Sequence, residues 1–253
     1  MNVFADRPAS FAQLVGYPNT MSKPSGADVE GVHGTTVLAL RYDQGILNLG
    51  DRRATMANYI MYDRADKIIP LDDCTVMAIS GSFARSIEIA RYLRHAFKYY
   101  ARTQLQDLSL EGKLQEVTRA LGSNLEFALD GVGMFLPLIS AYDPRTDDFG
   151  IYLYDVLGAR FENDEFGAAG SGSERIRGVF DYVSRVKGPF DKRPLDEVLV
   201  EALTMLDIAA SLDTATGGLD RVLPVAMTLT KEGVTRISDS QIAKAVKQVT
   251  GRS

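Results

Sequence analysis

The order of the predicted strands and helices is the feature that most constrains the fold of this chain. From residue 36 onward, strand-forming runs joined by short turns alternate with pairs of amphipathic helices. Strands joined by short turns pair antiparallel, and helices between blocks of strands cover the outer faces of the sheets. The sequence therefore predicts an α+β domain in which two antiparallel sheets pack together with helices outside them.

Turn chemistry and apolar periodicity indicate where each element lies. Strands are predicted over residues 36–42, 46–49, 67–69, 74–79, 137–142, 150–154, 222–230 and 234–237. Helices are predicted over residues 82–104, 109–130, about 173–186, 194–211 and from 238 onward. The small-residue passage 166–172 is interpreted as the lead into the third helix. No repeat or linker interrupts residues 35–253, so we expect a single domain there.

Composition excludes several classes of function. The 253 residues carry a net charge of −5 without a basic block, which argues against nucleic acid as a partner. One cysteine, Cys74, rules out an internal disulfide and fits a reducing compartment. Two histidines, His33 and His95, without a ligand cluster predict no metal site, and we expect no cofactor. We also expect no membrane span and no secretory signal.

Residues 1–34 differ in texture from the rest of the chain. Residues 18–28 are rich in turn and disorder formers, and residues 1–34 show no sustained strand or helix period. At Thr35 the sequence changes abruptly to an apolar strand. A floppy N-terminal tail would explain this pattern, and so would a leader that is removed. We predict that residues 1–34 are a propeptide.

Cleavage before Thr35 would create a catalytic group. Thr35 would then carry both a hydroxyl and a free α-amino group, whose reference pKa is about 7.7–8.0. Such an amine can accept the hydroxyl proton, directly or through a water, without any histidine. A lysine such as Lys67 would disfavour protonation of the amine, and Asp51 could hold that lysine. Gly34 permits close backbone approach at the cut.

Each of these signals also has a simpler explanation when it is taken alone. Thr35 and Thr36 fit a strand start by β propensity, and Lys67 fits a solvated charge at a strand edge. The run 170–172 fits a loop, and the run 213–218 fits a helix stop with glycine. It is their combination that points to catalysis.

Together these motifs resemble the catalytic β subunits of 20S proteasomes, and the bacterial form most closely. The resemblance runs from residue 35 to about 240, in the family's order and near its spacing. It implies the N-terminal nucleophile hydrolase fold, a four-layer α-β-β-α sandwich. The motifs are Gly34-Thr35-Thr36, Gly50-Asp51-Arg52-Arg53-Ala54-Thr55, Lys67, Ser80-Gly81-Ser82, Gly170-Ser171-Gly172 and Asp213-Thr214-Ala215-Thr216-Gly217-Gly218.

The resemblance also implies a role for individual residues. It implies Thr35 as nucleophile, Asp51 and Lys67 as a supporting ion pair, Arg53 as a structural charge, the Gly81 N–H as oxyanion donor, and Ser171, Asp213 and Thr216 as the group that orients the amine and a water. Thr216 departs from the serine expected at its position, and its extra methyl group puts its exact role in question.

The same resemblance implies a pocket for the residue before the scissile bond. Its lining is uncharged and almost wholly apolar, which predicts cleavage after hydrophobic residues because a charged side chain would be desolvated without a partner. The alternative is that these residues only form core. They are Ala54, Thr55, Ala65, Ile69, Ile79, Phe83 and Ile87.

The implied function is threonine-type endopeptidase activity on unfolded proteins, in the cytoplasm. The implied partners are a second copy of a homo-heptameric β ring, rings of α subunits, and a regulatory ATPase that acts through the α ring. The precursor would be inactive until Thr35 attacks the Gly34–Thr35 bond and releases residues 1–34. The alternatives are a catalytically silent ring subunit, a two-ring ATP-dependent threonine protease of the same fold, and a small-molecule amidase.

Overall fold

A computed structural model of the chain describes residues 35–56, 59–129 and 133–251. The predicted propeptide 1–34, including Gly34 at the predicted cleavage site, lies outside the described residues. The strands of the described part are β1 (Thr36–Tyr42), β2 (Gly45–Gly50), β3 (Ala54–Met56), β4 (Tyr59–Tyr62), β5 (Ile68–Asp72), β6 (Thr75–Ala78), β7 (Leu138–Asp143), β8 (Asp148–Tyr154), β9 (Arg160–Asn163), β10 (Phe166–Gly170), β11 (Val225–Thr230) and β12 (Gly233–Arg236). Its helices are α1 (Phe83–Gln104), α2 (Leu110–Ser123), α3 (Leu125–Leu129), α4 (Ser173–Lys187), α5 (Leu195–Leu212) and α6 (Asp239–Thr250), with a 3₁₀ turn at Phe190–Lys192.

The strands form two five-stranded antiparallel sheets. The first has the order β10-β1-β2-β11-β12, and the second has the order β5-β6-β7-β8-β9. Hairpins β1–β2, β5–β6, β7–β8 and β11–β12 join consecutive strands through short turns, as the sequence predicts. The short strands β3 and β4 pair with each other as a separate hairpin. The antiparallel pairing predicted from the turns is therefore confirmed.

Alternate residues of the strands pack into three apolar cores. These cores lie between four layers: helices, the first sheet, the second sheet and helices again. On β1, Val37 and Ala39 pack between the two sheets, while Leu38 and Leu40 face the helices α4, α5 and α6. On the far side of the second sheet, residues such as Ile139 pack against α1 and α2. Because both faces of β1 are covered, its sequence is apolar almost throughout. The predicted α-β-β-α sandwich is confirmed.

The structure also contains elements that the sequence pattern does not indicate. The passage 166–172, interpreted as a lead into a helix, contains strand β10, which pairs with β1 from Thr36↔Gly170 to Leu40↔Phe166. Small residues have low strand propensity, so tertiary pairing and not local preference makes this strand. Strands β3, β4 and β9 were not predicted either. The helix expected over 109–130 ends at Ser123, and the short helix α3 follows.

The polar residues of interest gather at one end of the first sheet. Thr35 precedes β1, Asp51 follows β2, and Ser171 follows β10. These three strands are neighbours in the sheet, and Thr36 lies opposite Gly170 while Val37 lies opposite Gly50. Antiparallel pairing therefore brings residues that are far apart in sequence to the same end of the sheet. The remaining groups come from other elements: Lys67 precedes β5, Gly81 follows β6, and Asp213 and Thr216 follow α5.

Candidate active site

Thr35 and Thr36 are consecutive residues at the start of β1, but their side chains lie in different environments. Successive residues of a strand point to opposite faces. The Thr36 hydroxyl is fully buried, accepts a hydrogen bond from the Gly172 N–H (3.1 Å) and lies 2.5 Å from the Thr216 hydroxyl. Thr35 lines a cavity of about 470 Å³ that Gly81 and Ser171 also line. Of the two threonines, Thr35 is thus the one beside a space for substrate.

Asp51 is the central acceptor of the site and is itself buried. Its Oδ1 accepts hydrogen bonds from the Lys67 ammonium (2.8 Å) and from the Thr36 N–H (2.8 Å). Its Oδ2 accepts hydrogen bonds from the N–H groups of Arg53 (3.0 Å) and Gly217 (2.9 Å). Four donors on one carboxylate fix its orientation. Asp51 thereby ties together β1, the loop after β2 and the loop after α5.

Lys67 forms a buried ion pair with Asp51, and both side chains are fully inaccessible to solvent. The Lys67 ammonium also donates a hydrogen bond to the Arg53 carbonyl (2.5 Å). Burial has the largest effect and lowers the pKa of Lys67, while the charge of Asp51 opposes that change. The structure thus brings together the two members of the predicted ion pair.

Arg53 acts as a brace at the edge of the site. Its guanidinium binds the carboxylate of Asp63 (3.2 Å) and donates hydrogen bonds to the carbonyls of Thr214 (3.3 Å) and Thr216 (3.2 Å). It therefore fastens the loop after α5 to the loop after β2. These contacts fit the structural charge that was predicted for it.

Gly81 has the backbone conformation that an oxyanion donor needs. Its φ is +93°, and a Cβ atom there would lie 2.3 Å from the Met134 carbonyl, so only glycine fits. The adjacent hydrogen bonds, from the Ser82 N–H to Met134 and from the Leu136 N–H to Ser80, make Gly81 and Phe135 a pair that exchanges none. In that pattern the Gly81 N–H points away from Phe135. It is available on the other side of its segment.

The structure brings Ser171, Asp213 and Thr216 together in one hydrogen-bonded group. The hydroxyls of Ser171 (2.5 Å) and Thr216 (2.6 Å) both donate to Oδ2 of Asp213. The Ser171 N–H donates to the Thr35 carbonyl (3.0 Å), which connects this group to the start of β1. Burial would raise the pKa of Asp213, but these hydroxyl donors outweigh burial and hold the pKa below its usual value. Asp213 is therefore an anion at neutral pH.

The cavity beside Thr35 is lined by residues other than those of the predicted substrate pocket. Its apolar wall comes from the segment 134–137 and from Leu153, Tyr154, Ala168 and Ala169. None of the seven predicted pocket residues lines this cavity. Ala54, Thr55, Ala65 and Ile79 are buried, and Ile69, Phe83 and Ile87 are half-buried against the core under α1. Their role in substrate binding stays a prediction.

Three residues of the site lie in the motifs quoted from the sequence but received no predicted role of their own. Thr36 contributes its hydroxyl and its N–H, and Gly172 and Gly217 contribute backbone donors. Backbone donors leave no trace in residue type beyond the presence of glycine. The signal for Thr36 is that two threonines in succession on a strand must face opposite ways, so one of them is internal.

A metal site and a membrane span were both sought in the described ranges. Within residues 35–56, 59–129 and 133–251, no three histidine, cysteine, aspartate or glutamate side chains converge as metal ligands would. In the same ranges, no helix has the length and apolar character needed to cross a membrane.

Comparison with known proteins agrees with this geometry. Residues 32–222 match the family described as "Proteasome subunit". A "Proteasome subunit beta" of Acidothermus cellulolyticus is 35% identical over 240 residues, which span 92% of this chain and 81% of the relative. The proteins of the same name from Streptosporangium roseum (33% over 239 residues; 93% and 82%) and Streptomyces griseus (30% over 237 residues; 92% and 82%) are similar to it as well. The chain therefore belongs to the proteasome subunit family.

Proposed function

We propose that this chain is a catalytic β subunit of a proteasome core particle and acts as a threonine endopeptidase on unfolded proteins. The names of its relatives support a protease subunit. The observation that carries the catalytic proposal is the buried Lys67–Asp51 pair, which is hydrogen-bonded to the N–H that follows Thr35.

A buried ion pair is a weak stabiliser, because desolvation of both charges offsets most of their attraction. An apolar pair of similar size would serve the fold equally well. Charges kept in such a position beside a hydroxyl and a cavity therefore favour a functional explanation. A silent subunit would gain little from Asp51 and Lys67 in this arrangement.

The proposed reaction starts from Thr35 as the first residue of the mature chain. The α-amino group takes the hydroxyl proton, and the oxygen attacks the peptide carbonyl carbon to form a tetrahedral intermediate. The Gly81 N–H stabilises the negative oxygen, and the amine passes its proton to the leaving nitrogen as the peptide bond breaks. Water then hydrolyses the ester. The positive charge of Lys67 favours the neutral amine, and the group around Asp213 orients it.

Maturation is part of the same proposal. In the full-length chain, the nitrogen of Thr35 belongs to the Gly34–Thr35 amide and cannot act as a base. We therefore propose that the Thr35 hydroxyl oxygen attacks the Gly34 carbonyl carbon, and that the Gly34–Thr35 C–N bond breaks as the hydroxyl proton passes to the freed nitrogen. Water then hydrolyses the resulting ester, which releases residues 1–34, restores the Thr35 hydroxyl and leaves 35–253 as the catalytic domain.

Substrate preference and assembly follow the family pattern. The proposed preference is cleavage after hydrophobic residues, because the predicted pocket residues, such as Ala54, Ala65 and Ile79, carry no charge that could neutralise a charged side chain. The proposed assembly is a heptameric β ring that stacks on a second one and on rings of α subunits, with an ATPase that supplies unfolded chains. The exposed apolar side chains of β4, such as Tyr59 and Met61, favour burial against other protein surfaces.

The test is peptide hydrolysis by the particle assembled with its α subunit. Wild type should cleave peptides after apolar residues faster than matched peptides with a charge at that position. Thr35→Ala should lose at least about 10³-fold in kcat/KM, while Thr35→Ser, which keeps the hydroxyl, should retain part of the activity. Full activity of Thr35→Ala would rule out the threonine mechanism. An assembled wild-type particle without activity would point to the silent subunit.

A further inference from the structure

A row of hydroxyl groups leads from the start of α4 to Asp213. The Gly172 N–H donates to the Thr36 hydroxyl, which lies 2.5 Å from the Thr216 hydroxyl, and Thr216 lies 2.6 Å from Oδ2 of Asp213. Thr36 and Thr216 are almost completely buried, so water does not compete for these bonds. The two threonines are 180 positions apart in sequence, and only the fold brings them together.

The direction of each hydrogen bond in this row is fixed. An ionised carboxylate only accepts, so the single proton of the Thr216 hydroxyl points to Asp213. Thr36 must then donate its own proton to the Thr216 oxygen, and its oxygen accepts from the Gly172 N–H. Donors in a row polarise one another, so the Thr36 hydroxyl strengthens the bond that Thr216 makes to Asp213.

Thr36 therefore contacts both polar groups of the site. Its backbone N–H donates to Asp51, which holds Lys67, and its hydroxyl donates to Thr216, which holds Asp213. It is also covalently bonded to Thr35. The hydroxyl belongs to the side chain of Thr36, so it can be removed without touching the backbone bond to Asp51.

We infer that Thr36 is a positioning residue for the proposed threonine peptidase reaction. Its hydroxyl fixes the Thr216 hydroxyl against Asp213 and so sets the donor geometry and the electric field that the α-amino group of Thr35 meets. This rests on the proposed function, in which that amine is the base.

The pH profile distinguishes this role from simple packing. Hydroxyl donors offset part of the negative charge of Asp213. Without the Thr36 hydroxyl, the Thr216 donor weakens, the field of Asp213 at the amine grows, and the pKa of the amine rises. The acidic limb of the activity profile then moves to higher pH. The neighbouring charges Arg175, Lys67, Asp51 and Arg53 remain unchanged in this variant.

The experiment compares processed, assembled particles of wild type, Thr36→Val and Thr36→Ser. Val removes the hydroxyl at constant shape, and Ser keeps it. Thr36→Val should lower kcat about tenfold, the effect of one ordinary hydrogen bond, with KM within about twofold. Its acidic limb should lie at higher pH than that of wild type, and Thr36→Ser should restore both. Thr228→Val, on β11 in the same sheet, should change neither, since its hydroxyl donates to Thr235 outside the site.

A double-mutant cycle tests whether Thr36 acts through Thr216. Thr36→Val with Thr216→Val should lose no more activity than Thr216→Val alone, because the row is already broken. Losses that multiply would contradict the inference, as would wild-type kcat and pH profile for Thr36→Val. Equal losses in Thr36→Ser and Thr36→Val would show that the methyl group, not the hydroxyl, is what counts.

Two further comparisons keep the outcome decisive. If Thr36→Val does not assemble, Thr36→Cys replaces it, since cysteine has nearly the volume of serine but is only a weak donor. If Thr35→Ala is as active as wild type, the proposed function itself is wrong. If Thr35→Ala is inactive and Thr36→Val behaves as wild type, only the role of Thr36 is wrong.

Discussion

At the scale of single residues, Asp51 organises the site through the number of its donors. The carboxylate accepts from an ammonium group and from three backbone N–H groups, and these donors belong to β1, to β5's approach and to two loops. Position 51 therefore requires a side chain with two oxygen atoms that both accept hydrogen bonds.

Asp51→Asn tests this point. The amide has one acceptor oxygen and one donor NH₂ group, so two of the four donors would face another N–H. Because the ion pair with Lys67 is fully buried, we expect Asp51→Asn to lower the free energy of unfolding by about 3 kcal/mol. We also expect this variant to lose its peptidase activity. Urea unfolding of the two proteins measures the difference.

The matched control is Asp147→Asn, which removes the exposed ion pair with Lys231. Exposed pairs contribute little, so this variant should unfold near the wild-type midpoint. If both variants lose the same amount, the burial of Asp51 is not the reason for its effect. If neither does, the four-donor description of Asp51 is wrong.

At the scale of secondary-structure elements, the end of β10 is the critical junction. Gly170 closes the pairing with β1, and the next residue, Ser171, binds both the Thr35 carbonyl and Asp213. Gly170 has φ +104°, and a Cβ atom there would lie 1.8 Å from the Thr35 carbonyl oxygen. The strand can bring Ser171 this close to Thr35 only because this position has no side chain.

Gly170→Ala should therefore distort the backbone that places Ser171 beside Thr35. Strain at a positive φ and the contact with Thr35 together predict a loss of at least ~2 kcal/mol in stability, and the loss of peptidase activity. Gly178→Ala, within α4 and with nothing near its added methyl group, should be neutral or stabilising by about 0.5–1 kcal/mol. Thermal unfolding and activity of the pair test this. An active Gly170→Ala protein would contradict the close-approach argument.

The same strand shows where prediction from sequence succeeds and where it fails. Hairpins such as β1–β2 have both a turn signal and an apolar run, and their positions follow from local sequence. β10 has neither, because four of its five residues are glycine or alanine, and it becomes a strand only through pairing with β1.

The site divides in the same way. Thr35, Asp51 and Lys67 are chemical groups that can be predicted from residue type and spacing. The Gly172 and Gly217 donors and the internal hydroxyl of Thr36 depend on which backbone segments meet, and only the folded chain shows that.

At the scale of the whole molecule, two stacked sheets place the start of β1 inside the fold. Thr35 lies at the end of the first sheet where β1 begins, near the Gly81 segment and the loop after α5. A catalytic group at the proposed new chain terminus can be held in place only if the strand that begins there is not an edge strand of its sheet. β1 meets this condition, since β2 and β10 flank it on both sides.

The central claim is that Thr35 becomes the first residue of the active chain. The most direct test is intact mass and N-terminal sequencing of the subunit after assembly with its α partner, for wild type and Thr35→Ala. The account predicts that wild type begins at Thr35 and that Thr35→Ala retains residues 1–34. An assembled wild-type subunit that still carries residues 1–34 would have no free amine at Thr35 and would contradict the account.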